Sequence, residues 1–190
     1  MKKVASVLAV LLFAFAIIAC GSTPAKAPER TIPSGFPAFV RDAIRNAPED
    51  VLVGIGMANM ATPSQSMTIS ETRARADLSR QMNTMIQDMV RDYQASSEVD
   101  HSAALAFQEN ITVALSQSRL QGSTRADQDI VDGTVWTVMY LGKNNVAQEI
   151  NQAQAAAKLA VPAMASFNAE ARMNAAFEKI NSMDPVGRDH

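Results

Sequence analysis

The chain of 190 residues is long enough for one ordinary domain and too short for two, and its hydrophobic share of 47% can supply a core. Its formal net charge of -2 argues against a nucleic-acid binder that neutralises phosphates, so we expect no nucleic-acid partner. Its single cysteine excludes an internal disulfide and a metal site built from several cysteines.

Residues 1–19 have the pattern of a bacterial leader sequence. Lys2 and Lys3 precede a run of small and apolar residues that extends to Ala19 and is interrupted only by Ser6. This run has the length of a signal-peptide core and is short for a membrane-spanning helix. The pattern therefore predicts a signal peptide over residues 1–19.

The leader ends in the sequence IIACG at positions 17–21, which resembles the bacterial lipobox. The departure is isoleucine at position 17, where leucine is usual. The resemblance implies cleavage before Cys20 and lipidation of Cys20, and Gly21 in place of aspartate favours the outer membrane over the inner one. Because each buried methylene contributes about 0.8 kcal/mol, two or three acyl chains would hold the protein on a bilayer. The alternative is an ordinary or uncleaved leader with a chance cysteine.

A proline-rich segment separates Cys20 from the predicted domain. Residues 20–34 contain three prolines among small and polar residues and show no periodicity, which is typical of a tether. We expect a single globular domain over residues 35–183 and a frayed tail over residues 184–190. A short helix is predicted over residues 41–46. Phe36 and Phe39 could form an exposed partner site, but we expect burial under the main helix.

The segment from Val51 to Ala58 is predicted to be a strand with two unlike faces. Large apolar residues alternate with Leu52, Gly54, Gly56 and Ala58, and small residues on one face would let a helix backbone come close. A nucleotide-binding loop is a weak alternative, because the third glycine and the Lys-Ser/Thr pair are missing.

The main helix is predicted over residues 69–93 from an apolar stripe at steps of three and four residues. We expect Thr68 to cap it, with Glu71 completing a capping box. Methionines at positions 82, 85 and 89 could line a groove, although filling a core poor in aromatic residues is the better interpretation. Two pairs at a spacing of four residues are expected on the exposed side: Glu71 with Arg75, and Arg73 with Asp77.

The second half of the chain predicts a helix, a hairpin and two more helices. The first helix covers residues 102–117, an edge-like strand covers 118–130, and Asp132-Gly133 forms the turn before a strand over 134–141. The last two helices are predicted over residues 145–159 and 163–183. Trp136 and Tyr140 share one face of their strand, which could be a ligand platform but is expected to pack beneath a helix.

These elements predict an α+β fold. We expect a small sheet of about three strands, antiparallel at least in part, packed on one face by the long helix and further helices. Four segments resemble the LPP-twenty lipoprotein family and the N-terminal domain of flagellar assembly protein T: Phe39 after Pro37, residues 52–58, residues 74–78 and residues 132–136. The resemblance covers residues 37–141 and implies a membrane-associated, non-enzymatic protein, with flagellar assembly as one context.

The sequence therefore predicts a bacterial envelope lipoprotein that is not an enzyme and whose domain acts as an interaction or assembly module. The partners expected are the bilayer, through acylated Cys20, and a protein of the envelope. No nucleophile elbow occurs, and neither His101 nor His190 lies at a metal-ligand spacing. We therefore expect no catalytic residue, cofactor or metal. The alternative is a periplasmic module that binds a small ligand or peptidoglycan on the face near Trp136 and Tyr140.

Overall fold

A computed structural model describes residues 32–118 and 120–183. The predicted leader, Cys20, the tether as far as residue 31 and the predicted tail over residues 184–190 lie outside the described residues. The packed structure begins before the predicted boundary at residue 35, because Ile32 contacts an apolar cluster on the sheet.

The described residues form an α+β fold in which helices precede, separate and follow the strands. The bounds in chain order are α1 Ala38–Arg45, β1 Val51–Ala58, α2 Pro63–Ala95, α3 His101–Gln117, β2 Thr124–Val131, β3 Thr134–Gly142, α4 Lys143–Ala160, a 3₁₀ turn Pro162–Met164 and α5 Glu170–Ser182.

The three strands form one antiparallel sheet in the order β1-β3-β2. The predicted fold class and number of strands are thus confirmed. The turn between β2 and β3 consists of Asp132 and Gly133, whose φ angles are +50° and +76°. Two positive φ angles match the right-handed twist of the flanking strands, so the predicted hairpin tip is also confirmed.

The backbone of α2 lies directly on two glycines of β1. A Cβ added to Gly56 would overlap the carbonyl oxygen of Ser70 and the amide nitrogen of Ala74, and one added to Gly54 would overlap the carbonyl oxygen of Ala74. The small-residue face predicted for β1 therefore does receive a helix backbone. This close approach sets the distance between the sheet and the layer of helices.

The main core lies between this face of the sheet and helices α2, α3, α4 and α5. Met82, Met85 and Met89 are at most 1% exposed, so the prediction that they fill the core is confirmed. Within this core Phe107 of α3 contacts Phe167, and their ring centroids are 5.1 Å apart in an edge-to-face arrangement. With few aromatic residues available, flexible methionine side chains fill the remaining space.

The opposite face of the sheet is covered by α1. Val40 and Ile44 of α1 pack on Val53 and Val138 in a second apolar cluster. Phe36 and Phe39 belong to this cluster, so the expectation that they lie under the main helix is wrong. The reason is that side chains alternate between the two faces of a strand. The large residues of β1 point away from α2, and Phe36 and Phe39 pack on that face of the sheet.

The start of α2 differs from the prediction. Thr62 caps the helix by accepting a hydrogen bond from the Gln65 amide (3.3 Å), and Pro63 occupies the first helical position. A proline there costs no hydrogen bond, since the first amides of a helix are unpaired. The predicted cap at Thr68 is therefore wrong, and α2 begins six residues before the predicted start at residue 69.

The last predicted helix, over residues 163–183, is broken into two pieces. The Gln154 side chain accepts a hydrogen bond from the Ala169 amide (2.8 Å), and the Asn168 side chain accepts one from the Glu170 amide (3.0 Å). These bonds replace helical ones between the 3₁₀ turn and α5. The break turns Phe167 into the main core.

Side chains of α2 also satisfy the free edge of β1. Asp77 accepts a hydrogen bond from the Ile55 amide (3.0 Å), and its neighbours Arg73 and Gln81 donate to backbone carbonyls of the same strand, those of Met57 and Val53. Asp77 is only 7% exposed, so the predicted surface pair with Arg73 is wrong. The other predicted pair, Glu71 with Arg75, is confirmed at 2.5 Å.

The contact between β1 and α2 can be tested with Gly56→Ala. The added methyl group meets helix backbone that cannot move alone, so we expect a loss of about 3 kcal/mol in the free energy of unfolding, measured by urea denaturation. Gly35→Ala is the matched control, because no atom lies within 4 Å of its added Cβ, and it should change stability by less than about 1 kcal/mol. Equal stabilities of the two variants would contradict the contact.

The edge of β1 can be tested with Asp77→Ala. This change leaves the half-buried Ile55 backbone amide without its acceptor, so we expect a loss of about 1 to 2 kcal/mol in the free energy of unfolding. Asp42→Ala is the control, since Asp42 forms a 2.7 Å surface pair with Arg45 and is 60% exposed; its loss should be below about 1 kcal/mol. A thermal melt that ranks the two variants in the opposite order would refute this account of the edge.

Candidate functional site

The sheet face that carries Trp136 and Tyr140 is covered. The Phe36 ring lies edge-to-face on Trp136 with the centroids 5.9 Å apart, and the Tyr140 hydroxyl donates a hydrogen bond to the Ala43 carbonyl of α1 (2.5 Å). Packing beneath a helix, which the sequence favoured for this pair, is therefore confirmed. Both side chains are half-buried, and the alternative placement of a ligand site on this face stays a prediction.

A polar cleft opens on the other side of the sheet, within the layer of helices. It lies between the C-terminal end of α3, the following loop and the first turns of α4, and its volume is about 590 Å³. The described residues that line it come from these segments: Ala114, Leu115, Gln117, Ser118, Gln121, Gly122, Asn145, Gln148, Glu149, Gln152 and Ala153.

Carboxamide side chains dominate the lining. They belong to Gln117, Gln121, Asn145, Gln148 and Gln152, and none of these side chains hydrogen-bonds to another of the described residues. Among residues 32–118 and 120–183, the two N–H donors and the carbonyl acceptor of each carboxamide therefore have no protein partner.

The loop before β2 is fixed to α4. The Glu149 carboxylate accepts a hydrogen bond from the backbone amide of Gln121 (3.1 Å), and the Ser118 hydroxyl accepts one from the backbone amide of Leu120 (3.1 Å). Leu120 is buried at a φ angle of +45°, and Gly122 has a φ angle of +82°. A Cβ on Gly122 would overlap the Asn145 side chain. The wall of the cleft is thus held in place before any ligand arrives.

The sequence analysis missed this cleft because it assigned residues 118–130 to one extended strand. The structure turns the chain at Gly122 and begins β2 only at Thr124. The signal that could have revealed the site is the spacing of Asn145, Gln148, Glu149 and Gln152, which places all four on one face of a helix.

Two smaller clefts lie elsewhere on the described domain. One, of about 410 Å³, lies between the start of α2 and β2, where Glu71 contacts both Arg75 (2.5 Å) and Arg125 (3.8 Å). The other, of about 250 Å³, lies between α2 and α3 beside His101. The Nδ1 atom of His101 is 3.1 Å from the side-chain nitrogen of Gln94. In the first cleft, two guanidinium groups thus share one carboxylate.

The residues that could do acid–base or metal chemistry are dispersed. Residues 32–118 and 120–183 contain no group of three His, Cys, Asp or Glu side chains that could hold a metal ion. In the same ranges, no helix is both long and apolar enough to cross a bilayer. The hydroxyl and then the backbone amide of Ser102 hold the pKa of Asp100 below its ordinary value, because both bond the carboxylate at the start of α3. This cap lies at the opposite end of α3 from the cleft.

A scan of family models found no match to this chain, and neither the curated proteins nor the solved structures gave one. The resemblance to the LPP-twenty family therefore stays a prediction.

The wall of the cleft can be tested by comparing Gly122→Ala with Gly133→Ala. Both glycines have positive φ angles, so both substitutions should cost about 1 kcal/mol of backbone strain. Only the methyl group on Gly122 also meets a side chain at close range, the flexible end of Asn145. Because that side chain can change rotamer, we expect only about 0.5 kcal/mol more for that variant. Chemical denaturation measures both. A larger loss for Gly133→Ala would contradict the described loop.

Proposed function

We propose that this protein is a bacterial envelope lipoprotein without enzymatic activity, held on the outer membrane by acyl chains on Cys20, whose domain acts as an interaction or assembly module. The observation that carries the proposal is the position of the single cysteine, directly after an apolar leader and before a proline-rich segment. Removal of residues 1–19 takes away Lys2 and Lys3, so the mature chain would carry a formal charge of -4 in place of -2.

The geometry of the domain suits display from a tether. Ile32 and Phe36, the first apolar residues described, pack on the sheet face that α1 covers. The cleft lies among α3 and α4 on the opposite side of the sheet. The first described residues therefore attach to the sheet on the side opposite the cleft.

A second candidate function is a periplasmic module that binds a small ligand or peptidoglycan. The cleft beside α4 favours this candidate, because its volume of about 590 Å³ lies in the range of small-molecule sites. The ligand would then lie against the carboxamides of the helical layer, away from Trp136 and Tyr140.

Replacing the lipidated residue tests the proposed anchoring. In Cys20→Ser no thiol can accept an acyl group. We therefore expect the protein either to leave the membrane fraction or to keep its leader uncleaved. Ser22→Ala, two residues away, is the control and should stay in the membrane fraction. Cell fractionation with immunoblotting measures the distribution, and intact mass spectrometry measures the acyl chains. Mature wild-type protein with an unmodified thiol, or with the leader still attached, would refute the proposal.

A further inference from the structure

We infer that the cleft between α3 and α4 binds a neutral ligand that carries secondary amide groups, such as an N-acetylated sugar or a short uncharged peptide. This inference rests on the ligand-binding form of the proposed function and specifies the chemistry of its ligand.

Hydrogen-bonding capacity is the first argument. The five carboxamides of the lining each offer two N–H donors and a carbonyl acceptor, and none has a side-chain partner among the described residues. A secondary amide offers one donor and one acceptor that lie close together. A primary carboxamide can satisfy both at once, whereas a hydrocarbon ligand would leave these groups unpaired.

Charge is the second argument. The described residues that line the cleft include no lysine or arginine, and their one ionisable group is the Glu149 carboxylate. An anionic ligand such as a phosphate would meet no cation there and one negative charge. One oxygen of Glu149 already accepts a hydrogen bond from the Gln121 backbone amide. A metal ion would therefore find only the other carboxylate oxygen as a charged ligand. The lining therefore selects against anions and offers a cation only one carboxylate.

The shape of the lining is the third argument. Leu115 and Ala153 are buried and Ala114 is half-buried, so they form an apolar base beneath the exposed carboxamides of Gln148 and Gln152. An acetamido group or an alanyl residue presents a methyl group next to its amide. The methyl group would contact the apolar base while the amide meets the carboxamides, an arrangement of apolar lining with few placed polar groups that is common in ligand sites.

Titration of the full-length chain in detergent with two matched trisaccharides tests the inference. Chitotriose carries three acetamido groups, and cellotriose has hydroxyls in their place. We expect saturable binding of chitotriose, with cellotriose at least tenfold weaker, measured by amide chemical shifts on isotopically labelled protein. N-acetyl-alanyl-alanine amide is the second arm. If the peptide binds and chitotriose does not, the amide chemistry is supported and its source is peptide.

The double variant Gln148→Ala/Gln152→Ala locates the binding. It removes two carboxamides from the cleft and should weaken binding of the preferred probe about tenfold. Asn174→Ala is the control, because Asn174 is an exposed carboxamide on α5 outside the cleft. Three results would each overturn the inference: binding of neither amide probe, saturable binding of cellotriose with the same Kd as chitotriose, or an unchanged Kd in the double variant. None of these results bears on the anchoring, which fractionation of Cys20→Ser tests separately.

Discussion

The contact between the backbone of α2 and two glycines of β1 sets the position of nearly every other element. Because Gly54 and Gly56 have no side chain, α2 lies closer to the sheet than helices that pack through side chains. Its apolar stripe then extends past β1 and receives α3 and α5. The side chains at positions 73, 77 and 81 of α2 hydrogen-bond to backbone groups along the edge of the same strand. One helix thus covers the face of β1 and satisfies its edge.

A sheet of three strands has two edges, and side chains hydrogen-bond to backbone groups of both edge strands. On β1 the groups come from α2. On β2, Asp127 and Asp129 accept hydrogen bonds from the next amide in the chain, those of Gln128 (2.8 Å) and Ile130 (2.7 Å). Charged residues along an edge strand oppose pairing with another sheet. Interactions with a partner are therefore better served by the helical layer, where the cleft lies, than by an added strand.

Periodicity and turn chemistry predicted most of the fold. The alternation of β1, the Asp132-Gly133 turn and the stripe of α2 each predicted an element that the structure contains. The start of α2 was misplaced by a local cap, whereas two other errors depend on contacts between distant residues. Phe36 lies away from α2 because Trp136 is available on the other face, and α5 starts late because Gln154 takes the Ala169 amide. The cleft depends on the bend at Gly122 and on the Glu149 contact, neither of which a local pattern indicates.

The account as a whole requires that β1 and α2 form the most stable unit and that the remaining helices pack against it. Native-state hydrogen exchange of the individual amides measures this directly, since the most protected amides open only with global unfolding. We expect the β1 amides and those of the central turns of α2 to exchange with the free energy of global unfolding, and those of α1 and the last turn of α4 to exchange with less. Amides of α4 that outlast those of β1 would contradict the account.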